Sequence, residues 1–270
     1  MNKKIAAALK GVACCVLFTA ALAMASVLKF VFPAQLERYV YGCIGLFISL
    51  LIVWGFAKLD KINPEDVSLR WQRGTWKNFA IGLSIGLLLT ALLMIIVIAV
   101  NGLSMTRAGA TTPGWFLLWA MSLLLLSWME EIAFRTYAFY RLRKSMGIWP
   151  AQIIIAILFA LYHVAGGRGF EASLLGPGVW SVIFGWAVLR SGGIAMSTGL
   201  HFAANLLQAA LGQKNDYPFL WKIDESVELS ASAQQQVNLT GILLQLAVLL
   251  LGLWLTFQYS KTHKTLKSAH

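Results

Sequence analysis

The chain has 270 residues, of which 59% are hydrophobic and only 12% charged, and the charges fall between long apolar runs rather than inside them. A soluble domain of this size needs far more polar surface, so the composition excludes one. The net charge of +11 does not point to nucleic acid, because Lys and Arg sit in short loops and tails beside apolar spans, where they act as topology signals.

Apolar stretches bounded by charge predict eight spans, near 7–32, 39–57, 78–100, 115–140, 148–165, 174–189, 192–211 and 240–259. The expected fold is all-α, a polytopic transmembrane helix bundle forming one integral membrane domain over residues 1–270. Lys3 and Lys4 precede the first span, and Ala23-Met24-Ala25 resembles a small-residue cleavage site. The apolar run nevertheless continues through Val27, Leu28, Phe30, Val31 and Phe32, so a retained helix is expected in preference to a signal peptide. Cys14 and Cys15 in the first span and Cys43 in the second have neither zinc-ligand nor disulfide spacing, and read as membrane-core residues. The sixth span holds Gly176, Pro177, Gly178 and Gly185, so it is expected to be bent, re-entrant or shifted in register.

With loops alternating between sides, Lys29, Arg38, Arg107, Arg168, Lys214 and Lys222 fall on one side, and fifteen basic residues, Arg70 among them, on the other. The excess of positive charge inside puts both termini in the cytoplasm, in the cell (inner) membrane, and the loop with Asp216, Asp224, Glu225 and Glu228 outside.

Polar groups inside the spans carry the functional signal. The fourth span reads Trp128-Met129-Glu130-Glu131-Ile132-Ala133-Phe134-Arg135, and each charge at a helix centre costs roughly 2.5–3.5 kcal/mol on insertion scales. Such a cluster needs partners or a wet cavity. Glu131 and Arg135 are four apart with the acid N-terminal, the favourable order for a pair on one face. Glu130 lies about 100° round the helix and has no obvious local partner. Phe159 and His163 on the fifth span, and His201 and Asn205 on the seventh, are also four apart, so each pair projects from one face. Alone, a histidine in an apolar helix is more often a packing residue; two of them with an Asn and an unpaired Glu weaken that reading. His263 and His270 belong to the polar tail. Counting about 1.5 Å per residue from the cytoplasmic ends puts Glu130 roughly 16 Å deep, His163 roughly 21 Å and His201 roughly 12 Å. A common layer in the middle or cytoplasmic half of the bilayer is expected, with an opening to the cytoplasm or to lipid near the cytoplasmic leaflet.

The ordered set Glu130-Glu131…Arg135, Phe159…His163 and His201…Asn205 resembles the CPBP membrane proteins, which include the type II CAAX prenyl endopeptidases and the Abi-like bacteriocin-processing or immunity proteins. The resemblance spans roughly residues 115–210, the expected catalytic core. It implies an intramembrane endopeptidase acting on a membrane-associated or prenylated peptide in the lipid bilayer. In it, Glu130 and His163 activate water, His201 and Asn205 supply oxyanion donors, and Glu131, Arg135 and Phe159 are structural support. Metal dependence stays open: Glu130, His163 and His201 are the candidate ligands for zinc, yet a Glu that binds zinc cannot also be the free general base. A non-catalytic scaffold or immunity protein of the same fold, and a proton-coupled transporter with a Glu/His relay, are the competing readings.

Overall fold

The structure is a computed structural model that describes residues 3–69, 71–109, 111–214, 218–224 and 230–268; Arg70, Asp216, Glu225, Glu228 and His270 lie outside the described residues. The long helices are α1 (Lys3–Ala25), α2 (Glu37–Leu59), α3 (Thr75–Asn101), α4 (Pro113–Arg135), α6 (Ile148–Ala165), α8 (Val179–Ser191), α9 (Ala195–Ala210) and α10 (Ala231–Ser268), with α5 (Tyr137–Met146) and α7 (Phe170–Ser173) as shorter pieces. Among the described residues, seven helical stretches are long and apolar enough to cross a membrane. The expected span at 192–211 is shorter than predicted. It is the 16-residue α9, about 24 Å long against a hydrocarbon core of roughly 30 Å. Gly192 (φ +72°) turns the chain before it and Gly212 (φ +70°) after it, in a left-handed conformation that glycine adopts without steric cost.

Two other spans are interrupted where the sequence signals it. The stretch expected at 115–140 breaks at Thr136, whose backbone leaves the helical region between α4 and α5. The Gly/Pro-rich sixth span carries a π-helical turn at Leu174–Gly178 between α7 and α8. A π turn inserts an extra residue into the ladder, and so shifts the register of α8 relative to α7.

The contacts order the bundle. Gly42 packs on Leu125 and Gly45 on Met129, so α2 and α4 run parallel; Gly11 packs on Ala138 and Leu142, while Cys15 faces the Ala133 carbonyl, so α1 runs against α4–α5. The α3/α9 pair is the tightest. A Cβ on Gly82 would collide with the Met196 carbonyl, one on Gly86 with the Leu200 carbonyl, and one on Gly199 with the Phe79 carbonyl. Small residues permit this near backbone-to-backbone approach, which substitutes for the hydrophobic drive that lipid does not supply. Beyond the two helices, strand β1 (Ser104–Arg107) pairs antiparallel with β2 (Trp221–Asp224), Ser104 opposite Asp224 and Arg107 opposite Trp221.

At the end where α1 begins and α2 finishes, Asp60 closes the bundle. It accepts hydrogen bonds from Lys10 and from the Tyr137 hydroxyl (2.6 Å), and pairs with Arg141 (3.0 Å). Burial opposes its ionisation, but these hydrogen bonds and the Arg141 charge outweigh it and hold the carboxyl below the ordinary Asp value.

Candidate active site

Glu130 and Glu131 sit on the last two turns of α4, where nearly every residue is buried. The expected Glu131–Arg135 pair is present, at 3.4 Å and fully enclosed. Arg135 also donates to Ser181 Oγ on α8 at 2.9 Å and lies over the Phe159 ring, 4.1 Å from its centroid. Phe159 therefore supports the first motif through its ring face, a favourable seat for a guanidinium.

Glu131 does more than pair with Arg135. His201 Nδ1 donates to Glu131 Oε1 at 2.9 Å, and the imidazole stacks on Phe184 with centroids 4.5 Å apart and planes 18° apart. Both contacts fix the ring, with Nδ1 towards Glu131 and Nε2 towards the other carboxylate. His201 Nε2 lies 3.6 Å from Glu130 Oε2, beyond hydrogen-bond length but within ion-pair range. Glu130 has no local partner along α4, as its spacing implies, but tertiary packing brings α9 against it, which that spacing does not reveal. A second contact also escapes the sequence reading. The Tyr162 hydroxyl, next to His163 on α6, donates to Glu130 Oε1 at 3.2 Å.

His163 Nδ1 lies 2.9 Å from the Phe159 carbonyl. A carbonyl only accepts, so Nδ1 carries a proton, and in the neutral ring Nε2 is then the acceptor. Asn205 donates to Ser127 Oγ at 3.1 Å, three residues before Glu130 on α4.

Glu130, His163 and Tyr162 line a cavity of about 1030 Å³ between α1, α2, α4 and α6, together with Tyr41, Lys29 and Arg168. Glu130 is 8% exposed, and among the described residues its Oε2 accepts no hydrogen bond. His201 and Asn205 are not on the cavity wall: His201 backs onto Glu130 from the α9 side, and Asn205 sits a turn away against Ser127. The four residues grouped by sequence are neighbours, but only Glu130 and His163 face the space.

The cavity opens beside Ser26, Ala34 and Gly166, where α1 ends, α2 begins and α6 ends. These lining residues lie towards the end opposite the N-terminus, whereas the sequence reading expects an opening to the cytoplasm or to lipid near the cytoplasmic leaflet. Helix depth locates a residue along its axis but not the half of the bundle that is hollow. Here the Asp60 cluster ties α1, α2 and α5 together at one end, and the cavity lies between α1, α2, α4 and α6 towards the other.

The residue types invite a test for zinc. Among the described residues, no group of three His, Cys, Asp or Glu side chains is arranged to hold a metal ion; with Nδ1 of each histidine engaged, Nε2 is the ring atom left to meet a ligand.

Fold and site together define a class of protein, a polytopic α-helical membrane protein with a carboxylate–imidazole centre enclosed between its helices. Within it, residues 112–207 match the family described as Type II CAAX prenyl endopeptidase Rce1-like. The match covers roughly a third of the chain, includes all three motifs, and bears out the resemblance to the CPBP proteases over that segment. No curated protein matches the chain.

Proposed function

We propose that the protein is an intramembrane endopeptidase that hydrolyses a peptide bond of a membrane-associated or prenylated peptide, with Glu130 and His163 activating the water. One observation carries this reading: the buried Glu130 carboxylate lines the same large cavity as His163, whose Nδ1 is held by the Phe159 carbonyl so that Nε2 is the ring nitrogen left to meet water. Water held between the two attacks the carbonyl carbon and gives its proton to Glu130, while the carbonyl π pair moves onto oxygen. Collapse of the tetrahedral intermediate breaks the C–N bond, and Glu130 returns the proton to the departing nitrogen. His201, fixed by Glu131 and Phe184, sets the electrostatic environment of Glu130 from behind. Asn205 holds α9 to α4 through Ser127. A scaffold protein has no chemical need for a cavity-facing carboxylate of this kind.

The test is proteolysis of membrane peptides by the purified full chain in lipid, beside Glu130→Gln. The variant keeps the shape and removes the base, so it is expected to fold, melt as the wild type does, and cut nothing. Equal cleavage by both proteins refutes the assignment.

A further inference from the structure

Alternation of the loops leaves six basic residues on the face opposite the termini, where basic charge does not serve as a topology signal. Arg107 and Lys222 belong to the β1–β2 ribbon. The other four gather in one place: Lys29, Arg38 and Arg168 line the cavity, and Lys214 is close enough to feel the charges of Glu130, Arg168 and Arg38. We propose that this cluster is a binding site for a phosphate group, that of an anionic phospholipid whose headgroup sits in the cavity mouth and bridges the ends of α1, α2, α6 and α9.

Each cation arrives from a different helix end. Lys29 lies in the short helical turn Ser26–Val31 that continues α1, Arg38 in the first turn of α2, Arg168 just beyond α6 and Lys214 just beyond α9. Local structure brings Arg168 to the mouth. Its backbone N–H donates to the His163 carbonyl at 3.0 Å across Gly167, whose φ of +94° lets the chain double back immediately after the helix. The guanidinium then lies against Gly176 in the π turn, where even a Cβ would stand 3.2 Å from one of its nitrogens.

Like charges gathered in this way repel one another until an anion joins them. Glu37 and Glu130 line the same cavity, but among the described residues neither forms an ion pair with Arg168 or Lys214. Lys214 is half-buried. Burial, with the Arg168 and Arg38 charges added to it, lowers its pKa to about 8 against the attraction of Glu130. A phosphate offers several oxygens to such donors at once, in short charge-assisted hydrogen bonds, and removes the repulsion.

The surroundings select a lipid as the carrier of that phosphate. Lys29, Arg38 and Arg168 lie at the ends of membrane-crossing helices, the depth at which lipid headgroups begin. Side chains next to them are apolar and outward-facing: Phe30 is 67% exposed, Val31 77% and Phe170 60%. Further in, the cavity wall is apolar along α1 and α4, with Leu22, Ala23, Trp119 and Leu126. A headgroup on the cations with hydrocarbon beside these side chains satisfies both surfaces, whereas a free phosphate satisfies only the first.

The experiment measures lipid retention by native mass spectrometry, and thermal unfolding, for the purified full chain in detergent supplied with phosphatidylglycerol or phosphatidylcholine. Wild type is compared with the mouth pair Arg168→Gln/Lys214→Gln and with the ribbon pair Arg107→Gln/Lys222→Gln, which removes the same charge from the same face. Wild type is expected to retain phosphatidylglycerol in preference to phosphatidylcholine and to melt higher with it. Loss of two interfacial cations weakens that retention about 30-fold in the mouth pair, while the ribbon pair behaves as wild type. A wild-type protein with no preference for phosphatidylglycerol overturns the proposal by itself, however the variants fold. Equal losses in the two pairs also overturn it, since they mark general attraction to the interface. Stabilisation by inorganic phosphate without any lipid preference assigns the site to a free anion and removes the lipid. Unchanged lipid retention in the mouth pair, with slower cleavage of acidic peptides, gives the cluster to the substrate instead. Lipid retention is read without any cleavage assay, so its outcome is independent of the peptidase reading.

Discussion

His201 Nδ1 lies 2.9 Å from Glu131 Oε1, and this contact joins the third motif to the first across seventy residues of chain. Glu131 thereby serves two cations or donors at once, Arg135 within its own helix and His201 from α9.

Glu131→Gln is therefore expected to be damaging twice over. It leaves Arg135 enclosed without a counter-charge, a loss of about 3–5 kcal/mol for breaking a buried pair, and it removes the acceptor that orients His201. Yield and thermal unfolding fall, and the protein that does fold hydrolyses peptide more slowly than wild type. A stable and fully active Glu131→Gln protein, measured beside Glu130→Gln, contradicts this account of the pair.

The α3/α9 contact positions His201 and Asn205, so it can be attacked far from the chemistry. Gly82→Ala places a methyl group against the Met196 carbonyl and is expected to destabilise by about 1–3 kcal/mol, the usual range for overpacking. Gly55→Ala is the control, since a Cβ there meets nothing within 4 Å and alanine is the better helix former. Thermal unfolding of the two variants in the same detergent should separate them, and similar midpoints would mean that the helices slide apart freely.

The direction in which the cavity opens is checked by labelling. Cys14 and Cys15 are buried and Cys43 is exposed, so Ala34→Cys in a Cys43→Ser background offers one reactive rim position. An impermeant maleimide is expected to reach it only from the side opposite the termini, and labelling from the side of the termini refutes the placement of the mouth.

Asp60 makes the closed end pH-sensitive. Its folded-state proton affinity is lowered by Lys10, Tyr137 and Arg141, so its stabilising contribution is complete above the unfolded Asp value of about 4 and is lost as pH falls through the lower folded value. The wild type should lose stability in that acid window, and Asp60→Asn should start less stable and show less of the acid dependence. Parallel acid profiles of the two proteins would assign the acid sensitivity to another group.

How much of the molecule is legible in the sequence differs from residue to residue. The membrane-spanning character, the number of long helices to within one, the interrupted sixth span and the Glu131–Arg135 pair all come from local rules. Hydropathy is a property of a stretch, a Gly/Pro run disturbs the ladder wherever it occurs, and residues four apart on a helix are neighbours in any fold. The motifs likewise bring Glu130, His163, His201 and Asn205 into view as polar groups that lipid does not tolerate without partners.

Only the tertiary structure decides who those partners are and which groups face open space. That His201 reaches both Glu130 and Glu131 depends on how closely α9 approaches α3 and α4, which Gly82, Gly86 and Gly199 permit. Tyr162 gives no signal in the sequence because a tyrosine beside a histidine in an apolar helix has an ordinary packing explanation, and its contact with Glu130 emerges only when α6 turns that hydroxyl towards α4. The side of the opening is hidden from the sequence for the same reason. Distance along a helix axis is set by chain length alone, whereas a cavity forms where helices leave space between them, and that is settled by side chains meeting across the bundle, among them the Asp60 cluster that ties α1, α2 and α5 at the opposite end.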